Sequence, residues 1–264
     1  MSAVRWVRSH SVAMVAALAL AFLFLPIVIV VLFSFNNPAG RYNFTWQGFT
    51  MHNWTHPCGV PGMCSAVGLS LKIGILSTLI ATLLGTLIAF AITRHQFRLR
   101  SSTNLLIFLP MATPEVVMGS SLLALFINLN VSLGFTTILI AHIMFNISFV
   151  VVTVKARLQG LDRRLEQAAM DLYANEWQTF RRVTFPLVFP GILAAALLAF
   201  SLSFDDFIIT NFNSGNTVTF PMFVWGAAQR GIPAQINVIG SLMFIAALVI
   251  TLAATLSGRR RAAR

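Results

Sequence analysis

Six apolar runs recur along the chain, at 12–33, 68–92, 104–127, 135–154, 187–209 and 236–256. Each holds about 20 residues, the length a helix needs to cross the hydrocarbon of a bilayer. In hydrocarbon every backbone N–H and C=O has to be met within the segment, so the runs are predicted as helices. The first run is too long for a signal-peptide core and no small-residue cleavage site follows it, so it reads as a retained anchor. Pro110 and Pro114 fall inside the third run, which is expected to be kinked or broken there.

The longest polar interval lies between the fourth and fifth runs. Leu161, Leu165, Ala168, Ala169 and Leu172 recur at helical spacing and make one narrow apolar face, small at its centre. Asn175 is a candidate N-cap for a second helix, with Glu176 in the first turn and Gln178 at the third helical position. Arg181 and Arg182 sit near the end of that helix, where cations suit the dipole, and Pro186 is expected to terminate it before the fifth run. The prediction is two short helices with a bend between them. On pattern alone such a stretch is either an amphipathic helix on lipid headgroups or a docking element for another protein.

Composition sharpens this picture. With 57% hydrophobic and 9% charged residues, the chain has too little charge to cover a soluble domain of 264 residues, and it is predicted to be an all-α integral membrane protein with six transmembrane helices. A formal net charge of +11 invites a nucleic-acid partner, but the basic residues stand in short clusters between apolar runs, where they set topology, and no nucleic acid is expected. Placing Arg5, Arg8, Arg94, Arg98, Arg100, Lys155, Arg157, Arg163, Arg164, Arg181, Arg182, Arg259, Arg260, Arg261 and Arg264 inside leaves Arg41, Lys72 and Arg230 outside. Both termini are therefore expected in the cytoplasm. The outer segment 36–67 carries Trp46 and Trp54, read as interface anchors, together with Cys58 and Cys64, whose five intervening residues fit a local disulfide and equally two unpaired thiols. A second outer segment, 211–235, offers Phe223, Val224 and Ala227 for a short helix.

Three carboxylates fall within the apolar runs: Glu115, Asp205 and Asp206. A charge in the bilayer centre costs about 3 kcal/mol or more, so such groups face a cavity or a partner. Asp205 and Asp206 are roughly 100° apart on a helix, so one is expected to face a pathway while the other packs or caps. The alternative is an ion pair with a basic residue of another chain; within this chain Lys72 and Arg230 are the candidates at similar depth. An acidic lining suits a polycationic cargo and disfavours anions. Asn128, Asn146 and Ser148 are read first as packing groups, and His142 as a satisfied donor between helices. Trp225 is read as an interface anchor.

The polar interval resembles the EAA loop of binding-protein-dependent ABC importer permeases, a Glu-Ala-Ala, a glycine and a hydrophobic–x–hydrophobic–Pro ending. Glu166, Ala168, Ala169, Ala174, Val183, Phe185 and Pro186 match, while Tyr173 stands where that family usually has glycine. Pro114-Glu115-Val116-Val117-Met118, Ser203-Phe204-Asp205-Asp206-Phe207-Ile208 and the run from Phe220-Pro221 through Gly231-Ile232-Pro233-Ala234 are similar to the second permease subunit of spermidine/putrescine importers. The resemblance implies the type I ABC importer permease fold in a bacterial inner membrane. It divides the chain into an N-terminal helix and outer segment (1–67), a five-helix core with the loop near 160–186 (68–256) and a basic tail (257–264).

The resemblance further implies a second permease subunit, two ATPase subunits, an extracytoplasmic binding protein and the surrounding lipid as partners. Glu166, Ala168, Ala169, Asp171, Tyr173, Ala174 and Pro186 would couple the chain to the ATPase, and a polyamine would cross by alternating access past Glu115, Asp205 and Asp206. The sequence contains no phosphate-binding loop, metal-ligand cluster or catalytic constellation, so no cofactor is expected on this chain and ATP-Mg is assigned to the ATPase subunits. An importer for a sugar, an amino acid or an iron complex is the nearest alternative. An ion-coupled secondary transporter would need paired interrupted helices, and the sequence predicts one interruption, at Pro110–Pro114. An assembly factor without cargo would leave the three carboxylates unexplained.

Overall fold

The computed structural model describes residues 3–262, with side chains described from 11 to 249. The basic clusters at Arg5 and Arg8 and from Arg259 onward, with the tail 257–264, lie outside the residues whose side chains are described. In chain order the helices are α1 (Ala3–Ser34), α2 (His52–Thr55), α3 (Met63–Arg94), α4 (Arg100–Ala112), α5 (Glu115–Asn128), α6 (Phe135–Gln159), α7 (Arg164–Asp171), α8 (Glu176–Thr179), α9 (Phe185–Asp205), α10 (Ile208–Asn213), α11 (Phe220–Arg230) and α12 (Ala234–Ala262). Among the described residues β-pairing is limited to one isolated antiparallel bridge, Asn36 with Phe49.

Four of these helical stretches are long and apolar enough to cross a membrane: Ser11–Ser34, Met63–Arg94, Phe135–Gln159 and Glu176–Asp205. A fifth span is formed if α4 and α5 are counted together, although they meet at 105°. The break falls where the prolines predict it. Thr113 is extended (ψ 132°) ahead of Pro114, whose ring forbids the preceding residue a helical conformation. The described apolar part of α12, Ala234–Val249, is shorter.

By its internal contacts the chain divides into two compact units, Met1–Cys64 with Val224–Arg264, and Ser65–Phe223. In the first, α1 lies along α12, where Phe24 meets Phe244 edge-on at 6.5 Å. Its outer segment is ordered around buried Asn36, whose amide donates to Asn43 Oδ1 and the Thr45 carbonyl while its own oxygen accepts from the Gln47 N–H. Trp54 donates to Ser34 Oγ at 3.1 Å and stacks on Phe35. Cys58 and Cys64 are joined as a disulfide, which resolves the alternative left open by their spacing.

In the second unit α6 is the central helix, buried along much of its length against α9. Val150, Val151 and Val154 of α6 close on Val188, Ala195 and Ala199 of α9, with Ala89 and Ile92 of α3 completing the cluster. Small residues let the helices approach, since lipid supplies no hydrophobic drive to bring them together. Gly191 faces Arg157 so closely that a Cβ there would stand 2.6 Å from the arginine Cγ.

Two expectations are corrected. Pro186 does not terminate the second loop helix: α8 passes through a π turn at Phe180–Thr184 straight into α9, with helical angles at Thr179, Phe180, Thr184 and Phe185. The missing N–H and the ring of Pro186 are accommodated by that widened turn rather than by a stop. The fifth run is not one helix to residue 209 either. It breaks at Asp206, which is extended (φ −63°, ψ 123°), and α10 begins at Ile208. The chain thus holds a second interruption, beyond the single one predicted at Pro110–Pro114.

Candidate functional site

The polar corner between α6 and α9 forms as two short helices with a bend. Asp162 Oδ1 accepts from the Arg164 N–H at 2.9 Å and so opens α7. Asn175 and Gln178 make the reciprocal capping box read from the sequence, with Asn175 Oδ1 accepting from the Gln178 N–H at 2.8 Å and Gln178 Oε1 from the Asn175 N–H at 3.1 Å. Between them α7 ends in a Schellman arrangement: the Ala174 N–H reaches the Ala169 carbonyl and the Tyr173 N–H the Met170 carbonyl. That motif needs a left-handed residue at its turn, and Tyr173 supplies it at φ 63°. The bend survives the replacement of glycine by tyrosine, with a side chain in a conformation only glycine adopts freely.

Glu166, in the first turn of α7, ties this corner to the rest of the unit. Arg94 at the end of α3 grips it in bidentate fashion, with Nη1 donating to Oε2 at 2.8 Å and Nη2 to Oε1. Thr184 Oγ1 donates to the same Oε1 at 2.6 Å. One carboxylate therefore links α3, α7 and the π turn leading into α9. The motif marks Glu166 but is silent about Arg94, 72 residues earlier. The predicted apolar face is turned outward only in part: Leu161 packs against the core cluster of α3, α6 and α9, whereas Leu165 is exposed, Leu172 is 81% exposed and Tyr173 99%, alongside exposed Met170 and Trp177. Ala168, Asp171 and Pro186 are exposed as well, and Ala169 and Ala174 half-buried.

The second place of interest is where the two interrupted helices meet. α5 and α10, the segments after the breaks, cross at Gly119, where a Cβ would stand 2.9 Å from Phe212 Cδ2 and 3.3 Å from Ile209 Cα. Asn213 locks the crossing by donating to the carbonyls of Gly119 (3.3 Å) and Ile209 (2.8 Å). Glu115 opens α5 one turn before Gly119, and Asp206 lies one turn before Ile209, so the crossing sets the starts of the two segments in the same region of the unit.

The three carboxylates are not equivalent. Glu115 and Asp205 are exposed, whereas Asp206 is buried. Asp206 accepts from the Thr210 N–H (2.7 Å), the Thr210 hydroxyl (2.8 Å) and the Ile209 N–H (3.3 Å), so it caps α10, and His142 Nε2 lies 3.3 Å from its Oδ2. His142 is satisfied between helices as expected, with Nδ1 2.6 Å from Ser203 Oγ. Lys72, named as a candidate partner for these acids, lies over the Phe135 ring at 5.1 Å instead. Asn146 is fully buried on α6, with neither amide atom hydrogen-bonded.

The family model for the binding-protein-dependent transport system inner membrane component matches residues 81–260. The chain belongs to that family. It is a multi-pass inner-membrane transport component and not an enzyme. The spermidine/putrescine transport system permease protein PotC of Escherichia coli (strain K12) is 35% identical over 230 residues, covering 87% of this chain and 86% of PotC. The putrescine transport system permease protein PotI of the same strain is 36% identical over 221 residues, covering 81% of this chain and 78% of PotI. A solved bacterial ABC transporter involved in the import of the acidic polysaccharide alginate superposes with a TM-score of 0.66 over 98% of both chains at 14% identity. That likeness concerns the fold alone, the all-helical fold of ABC importer permeases.

Proposed function

We propose that the chain is the permease subunit through which an ATP-driven importer passes a polyamine of the spermidine/putrescine class. The observation that carries this reading is the 35% identity to PotC across 87% of the chain. The exposed acids Glu115 and Asp205 support it, because ammonium groups at both ends of a polyamine need carboxylates along their route. In this reading six helices cross the membrane, α4 with α5 forming one span and α12 the last, with both termini in the cytoplasm. The chain pairs with a second permease, takes cargo from an extracytoplasmic binding protein and draws on two ATPase subunits that hold ATP-Mg.

Glu115 and Asp205 form the acidic part of the pathway, and Asp206, buried beside them, holds the break that precedes α10. The α7–α8 corner, with Glu166, Ala168, Ala169, Asp171, Tyr173, Ala174 and Pro186, is the coupling surface toward the ATPase. The test is ATPase stimulation of the reconstituted complex by a binding protein loaded with spermidine, putrescine, a sugar or phosphate. Stimulation by a polyamine alone, abolished when Glu115→Gln and Asp205→Asn are combined, is the expected result. Stimulation by a sugar or phosphate overturns the cargo, and polyamine uptake surviving the double variant overturns the acidic pathway.

A further inference from the structure

A continuous chain of polar side chains from four helices runs to the α9–α10 break and ends on Asp206. Ser77 Oγ of α3 lies 2.9 Å from Ser203 Oγ of α9, and Ser203 Oγ lies 2.6 Å from His142 Nδ1 of α6. Across the imidazole, Nε2 lies 2.9 Å from Thr210 Oγ1 of α10 and 3.3 Å from Asp206 Oδ2. The Thr210 hydroxyl has a single proton and gives it to Asp206, so Nε2 of His142 carries a proton and is the donor on its side of the contact. The side chains of His142 and Asp206 are 3% and 4% exposed. Asp205, one residue earlier, is exposed.

We propose that His142 is a positioning residue for transport. Through Asp206 and Thr210 it fixes the α9–α10 break, and it thereby aims Asp205 into the pathway beside Glu115, while Asp206 itself touches no cargo. The inference deepens the acidic-pathway reading and rests on it. With residue 206 extended, the N–H groups of Ile209 and Thr210 have no preceding turn to bond to, and Asp206 takes both. A buried carboxylate deprived of one donor gains by turning toward water. Only one peptide separates the two aspartates, so a rotation that brings Asp206 out carries Asp205 away.

The two native cysteines are bonded to each other, so a cysteine placed at 205 or 206 is the sole free thiol of the chain. Asp205→Cys and Asp206→Cys, each in the assembled complex, are treated with a small trimethylammonium methanethiosulfonate reagent. Cys at 205 is expected to react and Cys at 206 to react about tenfold more slowly, waiting on local opening. Asp205→Cys is then combined with His142→Gln, whose amide nitrogen reaches the place of Nε2, and with His142→Asn, which reaches only that of Nδ1.

The glutamine variant is expected to keep the labelling rate and the asparagine variant to lower it several-fold at equal recovery of complex. Thr210→Val, near in shape but without the hydroxyl, delivers the same lesion if the asparagine variant fails to assemble. Equal rates in the glutamine and asparagine backgrounds, or equal labelling at 205 and 206, overturn the positioning role while leaving the acidic pathway standing. An unreactive Cys at 205 overturns both.

Discussion

Glu166 and Asp206 occupy two regions of the same unit and are held in closely related ways. Each is a carboxylate that accepts several hydrogen bonds and joins helices remote in sequence: Glu166 unites α3, α7 and the π turn, and Asp206 unites α6 and α10. They differ in what neutralises them. Glu166 is partly exposed and meets a guanidinium in bidentate geometry, the strong form of charged hydrogen bond. Asp206 is almost fully buried and is met by two backbone N–H groups, a hydroxyl and an imidazole.

The difference teaches that charge at a partly exposed corner is matched with opposite charge. At an internal break it is matched with dipoles and backbone donors, which satisfy the carboxylate and the opened helix at once. Neighbouring positions reinforce the contrast. The corner keeps an exposed apolar face and a tyrosine in a left-handed turn, while the break is closed by the contact of Gly119 with Ile209 and Phe212.

The sharpest way to break this comparison is to reverse the corner pair. Arg94→Glu alone places like charges together and removes a charged hydrogen bond worth about 2 kcal/mol, so ATP-driven uptake is expected to fall by more than about tenfold. Joining it to Glu166→Arg is expected to restore a large part of the loss. Uptake measured in vesicles decides, and no rescue by the double variant would show that Glu166 acts through something other than Arg94. A smaller effect of opposite sign is expected at Tyr173. Tyr173→Gly relieves a left-handed side chain and should raise the stability of the purified complex by about 1 kcal/mol, read as a higher Tm. Under the coupling-surface reading the same substitution lowers association with the ATPase, because the ring is lost.

The smallest effect is expected at Asn146, fully buried four residues beyond His142 on α6. Its amide atoms make no hydrogen bond, so Asn146→Leu is expected to leave stability within about 1 kcal/mol of the parent or to raise it. A large loss of Tm would show that Asn146 belongs to the polar chain that ends at Asp206.

Four of the six predicted spans, the proline break at Pro114, the capping box of Asn175 and the EAA-like corner were legible in the amino-acid sequence. Each depends on local chemistry: a run of apolar residues, a ring without an N–H, a short polar side chain three residues from a glutamine. Tertiary structure alone decided the rest. No proline marks the interruption at Asp206, where the carboxylate meets Thr210 and His142, and periodicity is blind to a partner that lies, like His142, on a helix remote in sequence. For the same reason the pattern left Asp205 and Asp206 interchangeable, and only the packing of α6 and α10 against α9 turned one inward. Arg94 as the partner of Glu166, the pairing of Cys58 with Cys64 and the passage of α8 into α9 through Pro186 likewise came from contacts and a widened turn that residue spacing does not encode.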